Sequence, residues 1–395
     1  MKIIDLVHQN EEFRKDTLNM IVSENVLSPQ VKQALGIQHA RYHADFYGGT
    51  QIFKQIYDQT QFLTKKVFQC SSTVISPLSG NLAVVAVILA FTKPKEKIAI
   101  LPLSPAGGYP INIEFFGRKR VNIPFNPVEY NIDLAPTLEM LSKEKPKLVF
   151  LGSSLFLFPH PVEPIADIVH NYGGTVAYDG SHVLGLIAGE QFQDPLKEGA
   201  DLLLGSTHKS FPGPQGGIIL SNNFHDKKLE EVIGTNPLGG IVLVDNIHNS
   251  RIAALGIALE EFLEYGREYA SQVIKNSKTL AYSLDANNII LQGKEKGFTQ
   301  SHQVLMRINN FDEGAKLRNL LMDYQIVTDA GMRFGTAELT RLGFCEEEMN
   351  NLGNIIGKII YNHLQSQPLK PSEISSIKED VKKLIKLAKE SDLMG

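Results

Sequence analysis

Cysteine is scarce in this chain: only Cys70 and Cys345 occur among 395 residues, with no C-x-x-C spacing. That excludes a disulfide framework and a thiolate zinc site, and a reducing compartment is the simplest fit. Excess charge of one sign is lacking too. The formal net charge is −4, so nothing marks a nucleic-acid surface, and the short run Arg118-Lys119-Arg120 reads as a solvated loop. No apolar stretch approaches the ~20 residues needed to span a bilayer. The opening residues, MKIIDLVHQNEEFRKD, reach charged side chains too early for a secretory leader, so a cytoplasmic location is expected.

What is present is an ordinary globular composition, 43% hydrophobic and 21% charged, at a length that fits two domains. Residues 1–65 mix polar and aromatic clusters and read as an N-terminal arm. From Ser76 onward the pattern changes. SGNLAVVAVILAF predicts a buried helix opened by Ser79 and Gly80, and short apolar runs predict strands at 97–101, 147–153, 175–179, 201–205 and 216–220, with a helix near 163–171. Strands without period-two alternation, separated by helices, indicate a mostly parallel sheet covered on both faces, an α/β domain over 66–262. RIAALGIALEEFLEY at 251–265 predicts a long amphipathic helix leading into a smaller α+β domain over 263–395. In the tail, Ile377, Val381, Leu384, Ile385 and Ala388 share one helical face and predict a helix packed on that domain.

Open α/β sheets bind ligands beyond the carboxyl ends of their strands. Three polar sets stand there: Ser153-Ser154, Asp179 with Ser181 and His182, and Ser206-Thr207-His208-Lys209. A lysine at the end of a buried strand can be desolvated, which frees the neutral amine for Schiff-base chemistry. The start of the helix at Ser79-Gly80-Asn81 offers free backbone N–H groups and a positive dipole end, suited to phosphate. Pyridoxal phosphate needs an amine, an anion site, a flat group against its ring and a carboxylate at its ring nitrogen. Lys209, Ser79-Gly80, Tyr109 and Asp179 can supply the four, although the Lys209 string also reads as a polar loop, Ser79-Gly80 as an ordinary helix start, Asp179 as an N-cap or structural salt bridge and His182 as a satisfied core histidine. His39 and His43 lie four apart with Asp45 following, but without a clear third ligand no metal site is expected.

The segments IVSENVLSP, YGGTQ, SPLSGN, YDGSHVLGLIAG, STHKSFPGPQGG and VTDAGMRFGTAELTRLGF together resemble the serine hydroxymethyltransferase family. The resemblance implies a pyridoxal-phosphate-dependent transferase of fold type I, with a mostly parallel seven-stranded sheet flanked by helices. It implies that Lys209 forms the Schiff base, that Asp179 pairs with the ring nitrogen and that His182 sits near the phenolic oxygen. Ser79, Gly80 and Asn81 would hold the phosphate, Tyr109 would stack on the ring, Ser154 would lie near it, and Ser206 and His208 would support the lysine strand. Arg333 would clamp the substrate carboxylate, with Ser23 and Tyr47 lining the pocket. Tyr47 and Gly240 would enter from a second subunit, making a homodimer with shared active sites. Asp45 or His43 stands where the family carries a glutamate proton donor.

The chain departs from the family at two places. RYHADFYGG is shorter than the family's arm, and QIVTDAGMRFG lacks an insertion before the clamp arginine. Both differences fall where tetrahydrofolate would bind. The expected activity is making and breaking the Cα–Cβ bond of a β-hydroxy-α-amino acid, serine and glycine by default. The acceptor stays open among tetrahydrofolate, a modified pterin, formaldehyde or another aldehyde. A folate-independent aldolase, racemase or aminotransferase, and a non-catalytic relative, are the alternatives.

Overall fold

A computed structural model describes residues 1–37, 48–104, 107–223, 226–234, 243–244 and 247–394. Two compact units emerge: Leu27–Ala270, and Met1–Val26 together with Ser271–Gly395. The division after Ala270 falls within about ten residues of 262, and Met1–Val26 groups with the C-terminal residues. Residues of the first segment are built into the second unit, because Leu18–Asn19 pairs in parallel with Ile326–Val327 and the side chains of Leu18 and Met20 are wholly buried in its core.

The larger unit is organised by a seven-stranded sheet. Its strands in chain order are β1 (Ser72–Val74), β2 (Lys97–Ile100), β3 (Lys119–Asn122), β4 (Leu148–Leu151), β5 (Thr175–Asp179), β6 (Leu202–Ser206) and β7 (Gly217–Ser221). Across the sheet the order is β1-β7-β6-β5-β4-β2-β3, and only β7 runs against the rest. Every residue of β4, β6 and β7 is buried, as required of strands with helices over both faces. The helix Gly80–Phe91 packs Ala83, Val84, Val87 and Ile88 into this core.

Register aligns the functional edge. Leu151 pairs with Tyr178 and Tyr178 with Leu203, so β4, β5 and β6 end side by side, and Gly217 of the returning β7 pairs with Ser206. The polar sets that follow these strands therefore open onto one edge, where the helix starting at Gly80 also begins.

The basic run at 118–120 is not a solvated loop. Lys119 and Arg120 belong to the edge strand β3, and Arg118 is only 8% exposed. Its guanidinium donates to the Thr92 carbonyl at 2.5 Å and to the Thr92 hydroxyl at 3.0 Å. These acceptors satisfy a buried charge that a count of basic residues cannot see.

The second unit gathers Leu280, Phe298, Leu317, Phe334, Ile356 and Val381 among its core residues. The C-terminal helix, Pro371–Met394, buries the five apolar residues of its expected stripe. The helix expected at 251–265 extends over Asn249–Ala286, 38 residues. Among the described residues, no helix is long and apolar enough to cross a membrane.

Candidate active site

Asp179 ends β5 and is 8% exposed. Its Oδ1 accepts the Ser181 N–H at 3.0 Å. Burial pushes its carboxyl above the usual range, while the Ser181 hydrogen bonds and the Lys209 charge pull the other way. The half-buried Lys209 lies in the turn after β6. Its ammonium thus lies within electrostatic reach of a carboxyl held at the end of the neighbouring parallel strand. The pKa of His208, the residue before that lysine, is pushed down to about 4 by burial and by the Lys209 charge. Its imidazole is neutral at physiological pH, and its buried Nδ1 has no hydrogen-bond partner among the described residues. His182 is also buried.

The helix start at Ser79-Gly80 is capped as the sequence suggests. Ser79 caps the helix from an extended backbone, and its Oγ accepts the Leu82 N–H at 3.2 Å. The amides of Gly80 and Asn81 remain among the first-turn donors that no intrahelical carbonyl satisfies. A Cβ at position 80 would come 2.3 Å from the Ser206 hydroxyl oxygen, so any larger residue would force that side chain to move. Ser206 itself is tied to Ser181, its N–H donating to the Ser181 Oγ at 3.0 Å. Asp179, Ser181, Ser206 and Gly80 therefore form one chain of contacts from the end of β5 to the helix start.

Tyr109 donates its hydroxyl to the Asn81 side-chain oxygen. Burial first, and the Asp179 charge second, push the phenol up to about 12, so it stays protonated. It borders a cleft of about 340 Å³ with Asn81, Val85, Ile111 and Phe115. Ser154 reaches the same loop: its N–H and hydroxyl both donate to the Gly107 carbonyl, at 2.7 and 2.8 Å, pinning the segment that carries Tyr109.

Arg333 and Ser23 belong to the other unit. Arg333 opens a strand, Arg333–Gly335, that pairs antiparallel with Gln303–Leu305. Its Nε donates to the Asp329 carboxylate at 2.7 Å, and the same carboxylate accepts the Gly331 N–H at 2.8 Å. Ser23 is half-buried in the segment following Val22. Asp45, Tyr47, His39, His43 and Gly240 lie outside the described residues. Among those described, no group of three or more His, Cys, Asp or Glu side chains could hold a metal ion.

Three contributors were not assigned from the sequence. Ser181 bridges Asp179 to Ser206. Gly152, at φ +124°, lets β4 end against Asp179, since a Cβ there would lie 2.4 Å from the Asp179 carbonyl oxygen. Gly217 lets β7 start against the phosphate turn, where a Cβ would lie 2.3 Å from the Ser79 carbonyl oxygen. The GG pair in PGPQGG was the available signal for the last: adjacent glycines at a strand start mark close backbone approach.

The family model described as serine hydroxymethyltransferase matches residues 1–356. The chain belongs to the serine hydroxymethyltransferase family. The serine hydroxymethyltransferase of Methanocaldococcus jannaschii is 36% identical over 97% of this chain and 93% of its own length. That of Methanobrevibacter smithii is 36% identical over 90% of this chain and 88% of its own. The crystal structure of L-threonine transaldolase from Pseudomonas fluorescens, in its internal aldimine state, matches with a TM-score of 0.86 and 26% identity. That match covers 98% of this chain and 90% of the other. The chain is a pyridoxal-phosphate-dependent transferase of fold type I.

The residues present fit this cofactor. The amides at the Gly80 turn suit its phosphate, and the hydroxyl-lined space that a Cβ at position 80 would fill is kept clear. Asp179, whose burial outweighs the pull of the Lys209 charge, suits a protonated ring nitrogen.

Proposed function

We propose that this member of the family makes and breaks the Cα–Cβ bond of small β-hydroxy-α-amino acids, with serine and glycine as the default pair. When bound, pyridoxal phosphate supplies an aldehyde that condenses with amines and a protonated ring that withdraws the electron pair left at Cα. Lys209 would supply the amine that holds the cofactor. Asp179 keeps the proton on the ring nitrogen, because a buried carboxylate gains most from a cation placed directly against it. The first-turn amides at Gly80 and Asn81 would anchor the phosphate, Tyr109, held by Asn81, would cover the ring, and His182 would hydrogen-bond the phenolic oxygen. His208, neutral, supports the lysine turn without adding charge beside the amine.

Arg333 binds the substrate α-carboxylate, its planar fork oriented by the Asp329 carboxylate on Nε. By the family resemblance, Ser23 and a partner copy's Tyr47 would line the pocket, Asp45 or His43 would handle the β-hydroxyl proton, and Gly240 of that copy would complete the phosphate site. This reading makes the enzyme a cytoplasmic homodimer with shared sites. The observation that carries it is the placement of a buried Asp179 beside the Lys209 turn, on adjacent strand ends and next to a capped, glycine-opened helix.

Acceptance of an aldehyde without folate is favoured by one further observation. Only residues 328–332 join the strand Ile326–Val327 to Arg333, and they are closed up by the Met332 N–H bond to the Asp329 carbonyl at 3.0 Å. This tight turn provides no extended loop for a pterin to lie against. Product analysis separates the possibilities. Glycine and an aldehyde from L-serine or L-threonine, at a rate unchanged by tetrahydrofolate, support folate-independent aldol chemistry. Strict dependence on tetrahydrofolate supports one-carbon transfer, and a D-amino acid or a keto acid as the sole product sinks both.

A further inference from the structure

Arg251 sits in the first turn of the helix Asn249–Ala286 and is 5% exposed. A guanidinium this deep is costly unless its five N–H donors are met. Here Nη2 donates to the Ile75 carbonyl at 2.6 Å, while Nε and Nη1 have no hydrogen-bond partner among the described residues. Burial lowers its pKa to about 10, with Tyr57 opposing, so the group is cationic at neutral pH.

Its surroundings connect it to the cofactor site. Ile75 ends the segment that leads through Ser76, whose buried hydroxyl also lacks a partner among the described residues, into the Ser79-Gly80 turn. On the other side, a Cβ at Gly216 would lie 2.6 Å from Nη1 and 3.2 Å from the Thr207 hydroxyl oxygen. Thr207 precedes His208-Lys209; its N–H donates to the Gly216 carbonyl at 3.1 Å and its hydroxyl to the Pro214 carbonyl at 2.6 Å. The Gly217 N–H then donates to the Pro77 carbonyl at 2.9 Å. The guanidinium is therefore wedged where the phosphate turn, the lysine loop and the head of the long helix meet.

We propose that Arg251 is a positioning residue: its Nη2 holds the Ile75 carbonyl at the start of the phosphate-turn segment, its Nη1 lies against Gly216 beside the lysine loop, and its buried charge biases this region toward a bound phosphate. The inference rests on the reading of this site as a pyridoxal-phosphate site.

The test compares wild type, R251K, R251M and the control R118M, whose arginine is buried in the same unit but satisfied by Thr92 and Phe116. Pyridoxal phosphate affinity is measured by titrating the apoprotein, and melting temperatures are taken with and without cofactor. R251M is expected to bind the cofactor about ten- to hundredfold more weakly, narrowing the gap between the two melting temperatures. R251K, which keeps the charge but loses the fork, is expected to fall between. R118M should lower both melting temperatures together and leave affinity unchanged. Unchanged affinity in R251M, or a loss confined to equal drops in both melting temperatures, overturns the proposal. If R251M does not fold, R251K decides by the same criterion. A wild-type chain that binds no pyridoxal phosphate refutes the underlying site and, with it, the role of Arg251, whereas weak binding confined to R251M supports both.

Discussion

Replacing Asp179 with asparagine should produce opposite effects in the empty and the loaded protein. In the apoprotein the folded state holds the Asp179 proton to a higher pH than the unfolded chain does, because burial raises its pKa above 3.8. The resulting penalty is absent below that value, grows as pH rises toward the folded pKa and is constant above it. Every tenfold gain in the proton affinity of the carboxyl on folding costs the ionised protein about 1.4 kcal/mol. Asparagine has nearly the same shape and can still accept the Ser181 N–H, but it carries no charge to desolvate. D179N apoprotein should therefore melt higher than wild type near pH 8, by about 2–4 °C for each kcal/mol recovered. The advantage should fade on acidification. With cofactor the sign reverses: the ring proton loses its counter-ion, and turnover of L-serine should fall by about a hundredfold or more. Differential scanning fluorimetry of both forms across pH, together with steady-state rates, provides the assay. A D179N apoprotein destabilised at every pH, or one that keeps full turnover, would refute the electrostatic role given to this carboxyl.

Other perturbations address separate parts of the site. G217A places a methyl 2.3 Å from the Ser79 carbonyl oxygen, a backbone atom that cannot rotate away. It should cost about 1–3 kcal/mol of stability and weaken pyridoxal phosphate, as thermal melts and cofactor titration will show. R333K keeps the charge but loses the planar fork, so KM for the amino acid should rise by about a hundredfold while cofactor binding is unchanged; an unaltered KM would remove Arg333 from the carboxylate site. His208, neutral well above about pH 4, should contribute no inflection to kcat/KM between neutral and mildly acidic pH. Replacing it with glutamine should leave any such inflection in place.

Much of the large sheet was legible because buried parallel strands carry their own signature. TVAYD occupies 175–179 as expected, and KLVFLGS, DLLLG and GGIIL each overlap the observed strand to within a residue or two at either end. Ser79 was legible as a cap because a serine before glycine and an apolar run has few other uses. The segments that escaped were decided by distant partners. Leu18 and Met20 lie in a polar neighbourhood of sequence, yet their burial depends on Ile326 and Val327, far along the chain. Arg118 looked solvated because its acceptors, the Thr92 and Phe116 carbonyls, are backbone atoms without a sequence signal. Ser181 stands in a polar set at the strand end, but its bridging role, like that of Gly152, consists of contacts around Asp179 that only the strand register creates. The long helix ran past its expected end because polar residues after Tyr265 still keep one apolar face, with Ala270, Val273, Leu280 and Leu284 buried.

The attachment of the cofactor at Lys209 is the claim on which the chemistry depends. Incubation of the purified chain with pyridoxal phosphate, reduction with borohydride and mapping of the modified peptide tests it directly. A single reduced adduct is expected on the lysine of the peptide STHKSFPGPQGG, abolished in K209A. An adduct on another lysine, or no adduct in a folded protein, would contradict it.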